Sequence, residues 1–444
     1  MKANPTRREF IKKSAIGATG ISWALTAPVT SYANIIGAND RIQVGVVGIN
    51  SRGAALAGSL LKTNKAQVSF LCDVDSRVLE KVRVQVNKHS TGKLKEFSDY
   101  RKLLEEKDLD AVVIATPDHW HAPMGIMGAI AGKHVYLEKP CSHNPREGEL
   151  LIQAQQKYGI LIQMGNQQRS APTSIQAMQD INDGFIGKVY FGKAWYSNDR
   201  KSIGYGKVVP MPDWLDWELW QGPAPRRPYK DNLVHYNWHW FWNWGTGEIN
   251  NNGAHELDIC RWALGVEFPT KVISSGGRYH FKDDWEFYDT QLASFEFDQG
   301  KMISWEGRSC NSFSHYDRGR GATIHGTKGT ILLDRNGYTA YNMDGEVIKE
   351  LKEKEESGTT DIVGAGPLVD KHMDNFLSGI KDGVALNAPI DEGHKSVLLC
   401  HLGNIAQVHG GMINTNKKDG SIIDHQPAQE MWSREYEKGW EPKV

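Results

Sequence analysis

Neither sign of charge is in surplus over this 444-residue chain: 52 basic residues stand against 53 acidic ones, for a net charge of −1. That balance leaves no electrostatic footprint for nucleic acid or an anionic membrane surface, and neither is expected as a partner. Cysteine is sparse. None of Cys72, Cys141, Cys260, Cys310 and Cys400 forms a CxxC pair, so neither a zinc ribbon nor a disulfide framework is indicated. Beyond the first 33 residues there is no run of ~20 apolar residues, so no membrane span is expected. Internal repeats are absent as well.

The beginning of the chain reads as an address. Thr6-Arg7-Arg8-Glu9-Phe10-Ile11-Lys12 resembles a twin-arginine export signal, an apolar stretch follows over 16–29, and Ser31-Tyr32-Ala33 offers small residues for a signal peptidase. Residues 1–33 are therefore expected to be a signal peptide read by the twin-arginine export machinery, giving a periplasmic protein that starts near Asn34.

Over 34–165 short apolar runs alternate with helix-period segments. "IQVGVVG", "AQVSFLCD", "DAVVIATP" and "HVYLEKP" read as buried strands, with helices near 52–63, 123–131 and 145–158. That alternation predicts a doubly wound parallel sheet of Rossmann type. The first turn, Gly48-Ile49-Asn50-Ser51-Arg52-Gly53, is a GxGxxG pattern with asparagine at its middle glycine. It follows a strand, opens a helix, and is followed by Asp73 at the end of the second strand. Glycines there let backbone amides approach a pyrophosphate, and Asp73 suits a ribose hydroxyl and repels a 2′-phosphate, so NAD is favoured over NADP. Ligands sit at the carboxyl ends of such strands, which places Thr116, Pro117, His119, His121, Glu138, Lys139 and Gln167 with Ser51 and Arg52 at the cofactor. His119 and His121 have no acidic third ligand nearby, and no metal is expected.

Residues 166–410 read as a second α/β domain for substrate and oligomerisation, with an open, mostly antiparallel sheet and helices near 172–184, 367–379 and 392–408. Residues 411–444 read as a polar tail. Along 247–265 a helical period puts Ile249, Gly253, Leu257, Cys260 and Leu264 on one apolar stripe. Glu248, Asn251, His255, Asp258 and Trp262 lie opposite, where they would face the crevice. Eight of the 15 tryptophans fall between Asp213 and Trp262. In "YNWHWFWNWG", Trp238, Trp240, Trp242 and Trp244 alternate, and on a strand they would share one side. They predict either a hydrophobic sheet face or subunit interface or, with His235, Asn237 and His239, a platform for a sugar ring.

"GVVGINSRG", "ATPDHWHAP", "LEKP" and "NNNGAHELDICRW" together resemble the glucose–fructose oxidoreductase/inositol dehydrogenase (Gfo/Idh/MocA) family over about 40–410. The resemblance implies hydride exchange between NAD(P) and a sugar or polyol hydroxyl, with Lys139 and His255 as the catalytic pair, and a homo-oligomer. The family's usual aspartate one turn before its histidine is Asn251 here. Glu248 is the candidate to supply the missing carboxylate.

The expectation is thus a periplasmic NAD-dependent oxidoreductase acting on a sugar or glycoside, in polysaccharide breakdown, with a cofactor that stays bound. A redox-neutral NAD-dependent glycosidase and a non-catalytic binding protein are the alternatives.

Overall fold

The computed structural model describes residues 41–89, 93–353 and 366–444. The export signal over 1–33 lies outside the described residues. Strand β1 (Ile42–Val47) is a β-branched run with almost every side chain buried, the pattern of a strand covered on both faces. With β2 (Ala66–Cys72), β3 (Lys95–Phe97), β4 (Ala111–Ile114), β5 (His134–Leu137) and β6 (Ile162–Met164) it forms an all-parallel sheet in the order β3-β2-β1-β4-β5-β6. The order reverses at β1, so a crevice opens beyond the carboxyl ends of β1 and β4.

The helix expected at 123–131 begins earlier, at Asp118–Ile130, with Pro123 inside it. Proline there leaves the carbonyl four residues back without its usual donor. That carbonyl belongs to His119, and Arg434 Nη2 donates to it at 2.8 Å. The interior proline is tolerated because a residue from the far end of the chain replaces the lost bond.

The second sheet has ten strands: β7 (Val189–Ser197), β8 (Lys271–Gly277), β9 (Thr290–Phe297), β10 (Lys301–Arg308), β11 (Arg320–Gly326), β12 (Thr330–Asp334), β13 (Gly337–Tyr341), β14 (Val347–Lys352), β15 (Met412–Thr415) and β16 (Ile422–Ile423). They pair in the order β14-β13-β12-β11-β7-β10-β9-β8-β15-β16. Among the described residues only β7 and β10 of this sheet pair in parallel. Residues from 411 onward, expected as a tail, supply β15 and β16 and send Trp440 edge-on against Trp120 at 5.1 Å. The helix Ala254–Leu264 lies on β7, where Gly192 leaves room for Cys260. Its stripe of Leu257, Cys260 and Leu264, continued back through Gly253 and Ile249, is buried as the periodicity indicated. One hydrophobic core runs from Val47 and Ile114 of the first sheet to Trp305, Ile324 and Val397 of the second part.

Two local readings change. Residues 249–253 form a π-helical turn before the α-helix, so the α period does not carry through from Asn251 to His255. The tryptophan segment is no strand: Asn237–Trp240 is a 3₁₀ turn followed by bends. The four alternating indoles therefore scatter. Trp238 and Trp244 join one aromatic cluster, Trp240 stacks on Trp285 at 3.9 Å, and Trp242 packs on Phe287 at 3.8 Å. The pattern misled because short aromatic-rich turns bury alternate side chains in different directions.

Candidate active site

A cleft of about 540 Å³ lies between the carboxyl end of the first sheet and one end of the second. Its first wall is the glycine turn. Gly48 has a left-handed backbone (φ +75°), and a Cβ on it would stand 2.7 Å from the Ala115 carbonyl oxygen. A Cβ on Gly53 would stand 2.2 Å from the Gly48 oxygen. Asn50 lines the cleft without needing a left-handed backbone. The helix Arg52–Leu61 that follows has no side-chain cap and no acid in its first turn, leaving its amides and positive dipole end open to an anion. At the end of β2, Asp73 accepts from the Ile49 amide at 2.7 Å and the Asp75 amide at 2.9 Å, which aims its carboxylate into the cleft. Among the described residues Thr116 Oγ1 and His121 Nε2, buried there, have no partner. A bare-backbone turn, an open helix end, a ribose-type carboxylate, an orphaned hydroxyl and an orphaned imidazole nitrogen together fit a dinucleotide.

Of the other expected cofactor residues, Ser51, Arg52, Pro117, Glu138 and Lys139 also line the cleft, whereas Gly53, His119 and Gln167 stand behind it. Glu138 is an internal brace: Arg52 Nε reaches it at 2.7 Å and Gln167 Nε2 at 3.0 Å. Burial would raise its pKa, but Arg52 and Lys139 outweigh it and hold the carboxyl below its ordinary range. His119 Nε2 meets the Trp220 carbonyl, and His121 Nδ1 meets that of Pro140. Burial depresses these imidazoles to about 3 and about 4. Among the described residues no three His, Cys, Asp or Glu side chains gather to hold a metal ion.

Lys139 and Asn251, 112 residues apart, meet across the cleft. Lys139 Nζ donates to the Asn251 carbonyl at 2.6 Å and to its side-chain oxygen at 3.0 Å. Burial brings the Lys139 ammonium down to about 8, with Glu138 and Asp118 opposing the fall. An amine near neutrality can exchange a proton at working pH.

Asp118, in the same "ATPDHWH" segment as the histidines, is a cleft residue that sequence reasoning passed over. It is 2% exposed, and Thr246 Oγ1 donates to its Oδ2 at 2.5 Å. Burial pushes its carboxyl up to about 7 against the pull of Thr246 and Lys139. The available signal was its position, directly after a strand end and a proline.

Glu248 and His255 do not line the cleft. Glu248 accepts from Arg200 Nε at 2.7 Å, Ser309 Oγ at 3.0 Å, Asn251 Nδ2 at 3.3 Å, and also from Asn252 Nδ2. Burial would raise its pKa, but Arg200 and these donors keep it below the usual carboxylate range. It is a saturated anchor that turns the Asn251 oxygen toward Lys139. Glu248→Gln leaves the Arg200 guanidinium buried without its countercharge, so denaturant unfolding should show a loss on the order of 3 kcal/mol. His255 is 4% exposed, and burial, followed by Arg335, Lys139 and Arg320, drives its pKa well below the ordinary value. The π turn presents Asn251 and Asn252 to the cleft in its place. Asp258 and Trp262 turn away as well, Asp258 into a two-bond pair with Arg169 at 2.8 Å and Trp262 beneath the same guanidinium at 5.2 Å.

Asn251→Asp would set a carboxylate against Lys139 Nζ. A negative neighbour favours the ammonium, so the Lys139 pKa rises, and any step that needs the free amine moves to higher pH by about one unit or more. The pH–rate profile measures this directly.

From the aromatic segment the cleft takes Trp238 and His239, stacked at 3.6 Å, with Tyr236 and His235. Trp240 and Trp242 do not line it. Trp240 instead supports the Arg200 guanidinium at 4.9 Å, and Arg200 reaches the cleft with Tyr196 and Asn198.

The family described as "Oxidoreductase family, NAD-binding Rossmann fold" (GFO_IDH_MocA) matches residues 42–166, and its "C-terminal alpha/beta domain" matches 195–442. A glycosyl hydrolase family 109 protein 2 of Shewanella sp. (strain ANA-3) is 27% identical over 212 residues, 44% of this chain and 46% of that protein. The chain therefore spans about half the length of the curated relatives it matches. The WlbA dehydrogenase of Bordetella pertussis, solved with NADH and UDP-GlcNAcA, shares the fold at TM-score 0.63 and 19% identity, over 85% of this chain and 99% of that one. A levoglucosan dehydrogenase solved with NADH and levoglucosan gives 0.64 and 18%, over 84% and 99%.

Proposed function

The chain belongs to the Gfo/Idh/MocA family of NAD-binding oxidoreductases, and on that premise we propose that it oxidises a hydroxyl of a sugar or glycoside, with NAD retained through the cycle and Lys139 moving the proton. The supporting observation is the cleft-facing Lys139, brought down to about 8 and aimed by both oxygens of Asn251. Bound NAD supplies a hydride acceptor. As the free amine, Lys139 takes the proton of the reacting hydroxyl; as the ammonium, it stabilises a developing alkoxide. Asp118, ionising near 7 in the same cleft, adjusts how readily that amine holds its proton. Trp238 and His239 offer a ring face and an imidazole edge to a sugar.

Export belongs to the same proposal. The twin-arginine route carries folded proteins, so NAD would be loaded in the cytoplasm and carried out bound. Arg7 and Arg8 with the apolar stretch behind them support this reading, and a role in periplasmic polysaccharide breakdown is proposed with it. A homo-oligomer would cover Ile273, Leu292 and Met412, which stand 40%, 51% and 52% exposed on the outer sheet face. Among the described residues no helix is long and apolar enough to cross a membrane.

A redox-neutral glycosidase is the second reading, favoured by the family 109 relatives. Purified holoprotein mixed with a panel of sugars and glycosides separates the two. The oxidoreductase reading expects net reduction of bound NAD and a keto-sugar. Release of free sugar with no net redox change would establish the glycosidase. An unreduced cofactor with intact sugars throughout would overturn both.

A further inference from the structure

The connection from β7 to the π turn, residues 198–248, is long and mostly irregular around a short helix, Trp217–Gln221, and the 3₁₀ turn Asn237–Trp240. Irregular connections of this length inside a compact domain are usually functional. This one supplies one wall of the cleft through Arg200, Trp220, His235, Tyr236, Trp238 and His239. It is also fastened to the carboxyl edge of the first sheet at two separate places.

At the first place, the Ser76 amide donates to the Trp214 carbonyl and the Asp216 amide to that of Val74, both at 3.0 Å. Between them Asp75 and Leu215 form an antiparallel bridge. His235 Nε2 donates to Asp75 Oδ2 at 2.9 Å, and the Arg77 guanidinium lies 3.4 Å from the centre of the Trp214 ring. Asp75 is a rigid anchor, because it also caps the helix Ser76–Asn87 by accepting from the Arg77 and Val78 amides. At the second place, His119 Nε2 and Trp120 Nε1 donate to the Trp220 carbonyl at 2.9 and 3.0 Å, and the His119 amide donates to the Trp244 carbonyl at 3.1 Å.

The two fastenings differ in burial. His119, Trp120 and Trp220 are all buried. At the Asp75 end the side chain of His235 is 26% exposed and that of Arg77 55%. Bonds within reach of water open more readily than buried ones. The exposed fastening also adjoins the ribose-type carboxylate. Asp73 accepts from the Asp75 amide, His235 is among the groups acting on its charge, and Asp73 and His235 both line the cleft.

We propose that His235 is a cofactor-retaining residue: its bond to Asp75 latches the 198–248 segment across the adenosine-ribose end of the cleft, and NAD leaves only when that end opens. The buried contacts of His119, Trp120 and Trp220 act as the hinge. His235, which the sequence groups with the alternating indoles, thereby serves the cofactor rather than the sugar. This inference rests on the reading that NAD is retained and names what retains it.

The test uses NAD-loaded protein incubated with excess deuterated NAD, with exchange of the bound cofactor followed by native mass spectrometry. His235→Leu and Trp214→Ala should each speed that exchange by about tenfold or more. His235→Gln, whose amide can still donate to Asp75, should keep most of the retention. Glu218→Gln, an exposed change on the same segment, should leave exchange at the parent rate. Hydrogen–deuterium exchange gives a second reading: in the two fast variants the Ser76 and Asp216 amides should lose protection while the His119 amide keeps it. Parent-like NAD exchange in both His235→Leu and Trp214→Ala would overturn the latch and leave retained NAD and sugar oxidation standing. Equal loss of protection at His119 would mean general loosening and would also overturn it. Free exchange of NAD in the parent protein would overturn the latch and the retention reading together.

Discussion

Lys139→Met should lower turnover by about a thousandfold while the protein still folds and still carries NAD. Methionine keeps most of the buried stem of lysine, so packing on the cleft wall changes little. What is lost is the amine and its two bonds to Asn251. A positioned acid–base group contributes on the order of 10²–10⁴ in rate, and the middle of that range is the expectation. The pH dependence fixes the sign. Lys139 sits at about 8, below its usual value, and the active form is the free amine. Activity of the parent protein therefore climbs as pH rises through that value and levels off above it. In Lys139→Met the residual activity should no longer climb there. Asp118, at about 7, works in the opposite sense: its ionisation stabilises the Lys139 ammonium, so Asp118→Asn should move the climb toward lower pH.

Gly53→Ala should empty the site of NAD. The added methyl would meet the Gly48 oxygen at 2.2 Å. A Cβ is fixed by its own backbone and its partner is a backbone oxygen, so no rotamer change relieves the clash. The turn must open, and the amides that approach a pyrophosphate move with it. Overpacking of this kind costs about 1–3 kcal/mol, and loss of a tightly held ligand removes its share of stability as well. Native mass spectrometry should find apoprotein, and thermal unfolding should occur at a lower temperature. By contrast, Asn50→Gly should keep NAD, since Asn50 adopts no backbone that glycine alone can reach.

The legible parts of this protein were those in which local sequence and long-range structure make the same demand. A strand, a glycine turn and a helix start within 43–53 leave one arrangement, and "EKP" at a strand end puts Lys139 at the crevice. The parts that misled are those where the backbone departs from a fixed period. A π-helical turn at 249–253 rotates Asn251 and Asn252 into the cleft and His255 out of it, and no hydrophobic pattern announces such a turn. The indoles of 238–244 alternate without a strand, because burial in two separate aromatic clusters satisfies them equally well. Glu248 looked like a spare carboxylate, and only the fold reveals that Arg200, from 48 residues earlier, occupies it.

The most direct measurement is single-turnover reduction of bound NAD by a reactive sugar, followed by the near-ultraviolet absorbance of reduced nicotinamide from acidic to alkaline pH. Transfer of the hydroxyl proton to the Lys139 amine predicts a rate that rises with an apparent pKa close to 8, moves to higher pH in Asn251→Asp, and loses that rise in Lys139→Met. An identical rise in all three proteins would contradict it, and would place the proton-accepting group elsewhere in the cleft.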